Sequence, residues 1–174
     1  MSDTLITVIA IGLAAVLMFV FPLMTISDRT DDIAQLSVET ATTEFVDKIR
    51  TTGKITQDNY DKFVETITST GNTYDVEMEV QVKDANLSKK TSQAQKDKIG
   101  EDVYYSVYTS QIEDEMRKNN GVYYCKEGDM VSVSVKNTNQ TIAQQLKNFF
   151  YTVTGNDSYT IAASHGGAVT VNGK

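Results

Sequence analysis

The sequence begins with its most strongly patterned part, an apolar run over residues 5–26 that contains no charged side chain. At about 1.5 Å per residue, a helix over this run is about 33 Å long, which matches the hydrocarbon core of a bilayer. Lipid or other copies of the segment must cover such a surface. No Lys or Arg precedes the run, and its end lacks a small-x-small cleavage pattern. We therefore interpret it as a retained segment rather than a cleaved signal peptide.

A one-sided apolar pattern follows over residues 31–50, where apolar side chains recur at steps of three and four at Ala34, Val38, Ala41, Phe45 and Ile49. This spacing places them on one face of a helix. Gly53 is predicted to end that helix. The first fifty residues therefore predict one long helix that is apolar all round at first, one-sided later and kinked at Pro22.

Short elements of both kinds are predicted for the remaining sequence. A helix over residues 57–70 has Thr56 as its N-cap. A strand follows over residues 74–82, where apolar and polar side chains alternate. Residues 85–100 are predicted to form an exposed loop and residues 102–118 a helix.

The last part of the sequence predicts a hairpin between residues 122–125 and 130–136. Thr138 or Asn139 is predicted to cap a helix that carries Ile142, Leu146, Phe149 and Phe150. Two short strand-like stretches are predicted within residues 158–171, around His165-Gly166-Gly167.

The order of elements from Tyr74 onward is then β-α-β-β-α-β, which is the ferredoxin-like order. We expect an α+β fold with two parts. Residues 1–52 form the transmembrane or filament-core helix with its amphipathic extension, and residues 53–174 form a globular head.

Composition narrows the possible functions. The formal net charge is −7, which argues against binding nucleic acid through a broad basic face. The single cysteine, Cys125, cannot form a disulfide within the chain; an inert buried thiol is the preferred interpretation, and a cross-link between chains is the alternative. The nine tyrosines are either half-buried core and rim residues or interface residues.

Candidate catalytic chemistry is scarce in this sequence. His165 is the only histidine, and its neighbour Ser164 would point to the opposite face of a strand, so the two cannot act as base and nucleophile there. We expect His165 to be a solvated loop residue in a Gly-Gly turn. No nucleotide-binding fingerprint, phosphate-binding glycine pattern or catalytic triad is found. The sequence therefore predicts no enzymatic activity, no metal and no cofactor.

Three acidic residues, Asp75, Glu77 and Glu79, share one face of the predicted strand. A solvated outer face is the preferred interpretation, a docking surface for a basic partner is the second, and a hard-cation site is the third. Lys89 and Lys90 of the predicted loop would meet this face if copies stacked head to tail, and such a contact propagates into a filament.

The N-terminal pattern resembles the type IV pilin-like superfamily, which includes pilins, type II secretion pseudopilins and Tad-type pilins. The resemblance covers residues 1–50, with Gly12 inside the apolar run and Phe21-Pro22 near its end. It implies a segment that lies in the membrane before assembly and in the core of a helical filament afterwards, where Gly12 and Pro22 loosen the helix. The basic leader and the early glutamate of pilins are absent from the sequence. Asp3 is the candidate substitute that would neutralise a neighbour's terminal amine.

The function expected from these patterns is that of a structural subunit of a pilus-like filament on the bacterial cell surface, with copies of itself as partners. A single-pass, membrane-anchored extracytoplasmic component of a secretion, conjugation or envelope machine is the alternative. An anchored enzyme or ligand-binding domain is the third possibility.

Overall fold

The computed structural model describes residues 2–84, 104–142, 144–145 and 160–174. Three helices and six strands lie wholly within these ranges: α1 (Ser2–Thr52), β1 (Lys54–Thr56), α2 (Gln57–Thr68), β2 (Tyr74–Lys83), β3 (Tyr104–Tyr108), α3 (Thr109–Lys118), β4 (Val122–Tyr124), β5 (Met130–Asn137) and β6 (Ala162–Ala168). The α+β class and the long N-terminal helix predicted from the sequence are both confirmed.

Helix α1 is continuous and passes through Pro22 without ending; the kink at that residue stays a prediction. The predicted apolar stripe is confirmed, because its five side chains are each 8% exposed or less. The helix ends where predicted. Gly53 has φ +68°, a conformation that favours glycine, and its N–H donates to the Ile49 carbonyl at 2.8 Å.

A four-stranded antiparallel sheet with the order β3-β2-β5-β6 forms the centre of the head. Alternation along the strands separates an apolar inner face from a polar outer face. The inner face includes buried side chains of β2 and β5: Met78, Val80, Val131, Val133 and Val135. They share one core with the second half of α1 and with buried residues of α2 and α3. The predicted boundary at residue 52 stays a prediction, although this core continues across it.

The ferredoxin-like order is wrong. A βαβ unit joins parallel strands, whereas every strand pair in the described ranges is antiparallel. One cause is β3, which occupies the start of the helix predicted for residues 102–118, so that helix α3 begins only at Thr109. Tyr108, at the end of β3, is 58% exposed, whereas Ile112 and Met116 of α3 are buried.

The second cause is the hairpin predicted between β4 and β5, which does not form. β4 pairs instead with β1, with Tyr123 opposite Ile55, while β5 pairs with β2 and β6. The connection between β4 and β5 does turn sharply, with Gly128 at φ +91°. Both members of the Ile55–Tyr123 pair are buried, so burial against a distant strand decided the pairing.

The helix cap predicted at Thr138 or Asn139 lies at Thr141 instead. The Thr141 hydroxyl accepts from the N–H of Gln144 at 3.2 Å, and the Gln144 side chain accepts from the N–H of Thr141 at 3.1 Å, which is a capping box. Thr138 and Asn139 bond to Thr73 instead. Leu146, Phe149 and Phe150 lie outside the described residues.

Strand β6 is a single strand that runs through His165-Gly166-Gly167, rather than two stretches around them. Its small residues allow α1 to approach closely, since a Cβ added to Gly167 would lie 2.6 Å from Arg50 Nε. Gln35 of α1 bonds to both backbone groups of Ala162, at 2.7 and 3.0 Å. Arg50 Nε donates to the Ala168 carbonyl at 3.1 Å. Side chains of α1 therefore form hydrogen bonds to backbone groups of β6, which is a strand at the edge of the sheet.

Candidate assembly surfaces

The first half of α1 carries the largest exposed apolar surface of the described chain. Twelve of its large apolar side chains between Leu5 and Ile26 are 52 to 76% exposed, Leu17, Val20 and Met24 are partly exposed, and none of the residues in its most apolar window is buried. Among the described residues, α1 is the one helix that is long and apolar enough to cross a membrane.

Two threonine hydroxyls in this half bond to carbonyls of the helix itself. The Thr7 hydroxyl donates to the Asp3 carbonyl at 2.8 Å, and the Thr25 hydroxyl donates to the Phe21 carbonyl at 3.1 Å. Pro22 has no N–H, so the usual donor to the carbonyl of Met18 is missing. With these two hydroxyls bonded internally, the segment suits a lipid environment or a packed interior.

Asp3 and Gly12, both proposed from the sequence as assembly residues, lie in this exposed half. Asp3 is an exposed carboxylate in the first turn of α1, where the helix dipole favours a negative charge. A Cβ added to Gly12 would meet nothing within 4 Å. The described chain thus gives no packing reason for a glycine at this position, whereas a second helix could approach it closely.

Two further apolar residues of α1, Ile33 and Leu36, are 70% and 64% exposed. At 100° per residue they lie on the side of the helix opposite the buried stripe. They also lie about 10 to 15 Å beyond Ile26, at about 1.5 Å per residue. Sequence reasoning gave these residues no role. The signal available was their position away from the apolar stripe.

The acidic strand face predicted from the sequence is confirmed as part of the outer face of the sheet. Asp75 and Glu77 are exposed, and Asp75 lies opposite Lys136. Glu79 is less exposed and accepts a hydrogen bond from the Ser106 hydroxyl at 2.6 Å. Together with Tyr108 and Glu113 of the neighbouring elements, these carboxylates line a groove of about 570 Å³.

The basic counterpart proposed for that face, Lys89 and Lys90, lies outside the described residues. The head-to-tail contact therefore stays a prediction. In the described ranges, no group of three His, Cys, Asp or Glu side chains is arranged to hold a metal ion.

His165 was expected in a solvated turn, and that expectation is wrong. It lies within β6, where its Nε2 is 3.8 Å from Asp47 Oδ1. The same Asp47 oxygen accepts from Arg50 at 2.7 Å. Ser164 belongs to the other face of the strand. This arrangement joins β6 to α1 and forms no nucleophile–base pair.

Cys125 is 2% exposed, which confirms the buried thiol that was the preferred interpretation of the sequence. Burial, together with the nearby Asp129 carboxylate, raises the pKa of its thiol to about 12. A thiol with this pKa carries almost no thiolate at neutral pH and is unreactive.

Comparison of the chain with protein-family models, curated proteins and solved structures finds no match. The resemblance to pilin-like proteins therefore depends on a long apolar N-terminal helix that continues into an α+β head.

Proposed function

We propose that this chain is a structural subunit of an extracellular pilus-like filament. In this proposal the first half of α1 lies in the membrane before assembly and packs against copies of itself afterwards. The head then forms the outer surface of the filament. Asp3, Gly12 and Pro22 belong to the packed part of the helix.

The observation that carries the proposal is the exposure of Ile33 and Leu36. A bilayer of about 30 Å is already crossed by residues 5–26, and Asp28 and Arg29 follow that run. In a simple membrane anchor these two side chains would therefore face water. A neighbouring α1 displaced along the axis by about 10 to 15 Å would cover them with its own apolar run.

The energy of assembly would come from two terms. Relative to water, burial of apolar surface contributes about 25 cal/mol per Å². Relative to lipid the gain comes from close packing, which small residues at an interface promote. The open position of Gly12 supports such packing.

The alternative, a single-pass anchor for an extracytoplasmic machine, is supported by the length and exposure of the apolar run alone. Shearing cells and identifying the released protein by mass spectrometry separates the two functions. We expect the chain in the sheared material as a repeated subunit of filaments. Its recovery from the membrane fraction only would contradict the filament.

A substitution tests the proposed role of Asp3. Asp3→Ala should reduce filament yield severely, because a terminal amine inside the filament would lose its carboxylate partner. Asp32→Ala, at another exposed aspartate of α1, is the matched control and should assemble normally. If filaments of Asp3→Ala form at the normal yield, the role assigned to this residue is wrong.

A further inference from the structure

A second cavity, of about 650 Å³, is lined by residues of β2, β3, α3, β4 and the segment after β6. Its volume is within the range of small-molecule binding sites. Much of its wall is aromatic or aliphatic, from Val82, Val107, Tyr105, Tyr123 and Tyr124. Tyr105 in this wall is 57% exposed. This cavity is separate from the helix surface used in assembly.

Tyr123 is the most informative side chain of the cavity wall. It is only 8% exposed, yet its hydroxyl makes no hydrogen bond to any residue that the structure describes. Burial and the nearby Cys125 and Asp129 raise the pKa of this hydroxyl far above the usual range, so it remains a donor. The hydroxyl is not enclosed by protein, and on the cavity wall it can donate to a ligand that offers an oxygen acceptor.

Three amide side chains, Gln111, Asn119 and Asn172, also line the cavity. In each of them, one of the two polar groups of the amide forms a hydrogen bond within the protein. The Gln111 oxygen accepts from the Tyr108 N–H at 3.0 Å, and the Asn172 oxygen accepts from the Glu127 N–H at 3.0 Å. Asn119 donates to Glu115 at 2.8 Å. The second group of each amide makes no further hydrogen bond within the described ranges, and all three side chains are exposed, so they can bond to a ligand in the cavity.

The formal charges around the cavity cancel, since Glu115 and Asp129 are matched by Lys126 and Lys174. Asp129 is already engaged by the backbone N–H groups of Lys83 and Lys126, at 3.1 and 2.7 Å. The Lys174 ammonium lies 5.2 Å from the centre of the Tyr124 ring. A balanced charge favours a neutral ligand over an ionic one.

The cavity combines tyrosine rings, amide side chains and balanced formal charges. This combination suits one class of ligand. A pyranose ring offers C–H groups on its face and hydroxyl groups around its edge. The C–H groups pack on an aromatic face, while the hydroxyl groups bond to amides and to a phenol. We propose that the head binds a neutral saccharide in this cavity, with Tyr105 and Tyr123 as the main contacts. The proposal does not depend on filament assembly.

The test uses the full chain in a zwitterionic detergent that contains no sugar. Maltose, cellobiose and N,N′-diacetylchitobiose are titrated as probes, and binding is followed by saturation-transfer NMR. We expect saturable binding of at least one probe, and about tenfold weaker binding by Tyr105→Ala, because the exposed aromatic face is lost. Tyr104→Ala is the matched control, since this neighbouring tyrosine faces the other side of the sheet, and it should bind as the wild type does.

A second variant separates a lost contact from a lost fold. Tyr105→Leu keeps an apolar side chain on β3 but removes the aromatic face, so it should show the same tenfold loss. The proposal is overturned if none of the three probes binds saturably. It is also overturned if Tyr105→Leu binds as tightly as the wild type, or if Tyr104→Ala weakens binding as much as Tyr105→Ala does.

Discussion

The two halves of α1 belong to one continuous helix but differ in what covers them. Between Leu5 and Ile26 twelve large apolar side chains are 52 to 76% exposed, whereas the stripe from Ala34 to Ile49 is at most 8% exposed. In the described part of the chain, the fully buried residues of α1 all lie in the second half. The fold therefore buries one face of the second half of the helix and leaves most large apolar side chains of the first half exposed.

The largest difference between the halves is expected from a pair of phenylalanine substitutions. Phe45 is 4% exposed and stacks on Phe63 with ring centroids 4.6 Å apart. Phe45→Ala should lower the free energy of unfolding of the head by about 3–5 kcal/mol. Phe21→Ala, at a side chain 62% exposed, should leave it unchanged.

Urea unfolding in detergent measures both variants. Tyrosine fluorescence is a suitable signal, because all nine tyrosines lie in the head and none in α1. Equal unfolding midpoints for Phe45→Ala and Phe21→Ala would show that the head does not depend on α1.

A smaller difference is expected from two glycines. Gly53 has a positive φ, and a Cβ there would lie 2.5 Å from the Gly173 nitrogen. Gly53→Ala should therefore cost about 2 kcal/mol or more in stability. Gly12→Ala, where an added Cβ meets nothing within 4 Å, should not destabilise the head. The same unfolding measurement checks both, and an unchanged Gly53→Ala would show that the junction of α1 with the head tolerates rearrangement.

The smallest effect at neutral pH is expected at Cys125, whose N–H donates to the Gly53 carbonyl at this junction at 2.8 Å. Burial raises the pKa of its thiol from 9.0 to about 12. Between these values the unfolded chain loses the thiol proton while the folded chain keeps it. The contribution of this group to stability is therefore complete below pH 9 and is lost as the pH rises to about 12.

Unfolding curves of the wild type and Cys125→Ala over this pH range test the expectation. The variant should show a shallower decline of stability with rising pH. Parallel declines would mean that the thiol is not protected in the folded chain.

Helix α1 and strand β2 were predictable because their signals are local. A repeat of three and four residues and a strict alternation each describe a single element with one buried face. The acidic outer face of Asp75, Glu77 and Glu79 followed from the same alternation.

The errors occurred where a distant partner decided the structure. Residues 104–108 became a strand because Val107 pairs with Val80 of β2, and β4 joined β1 rather than its sequence neighbour β5. In β6 the alanines and glycines carry a weak apolar signal, although their small size is what allows α1 to pack on them. The exposure of Ile33 and Leu36 could not be predicted from the sequence, because it depends on which side of α1 packs against the head.

The most direct test of the central claim is the distribution of an Ile33→Ser, Leu36→Ser double variant between sheared filaments and membrane, measured by quantitative mass spectrometry. A control variant, Asp32→Ser with Thr40→Ser, changes exposed polar residues of the same helix. The proposal predicts wild-type and control chains in the filaments, and a double variant that stays in the membrane with a folded head. Recovery of the double variant in filaments at the wild-type ratio would contradict it.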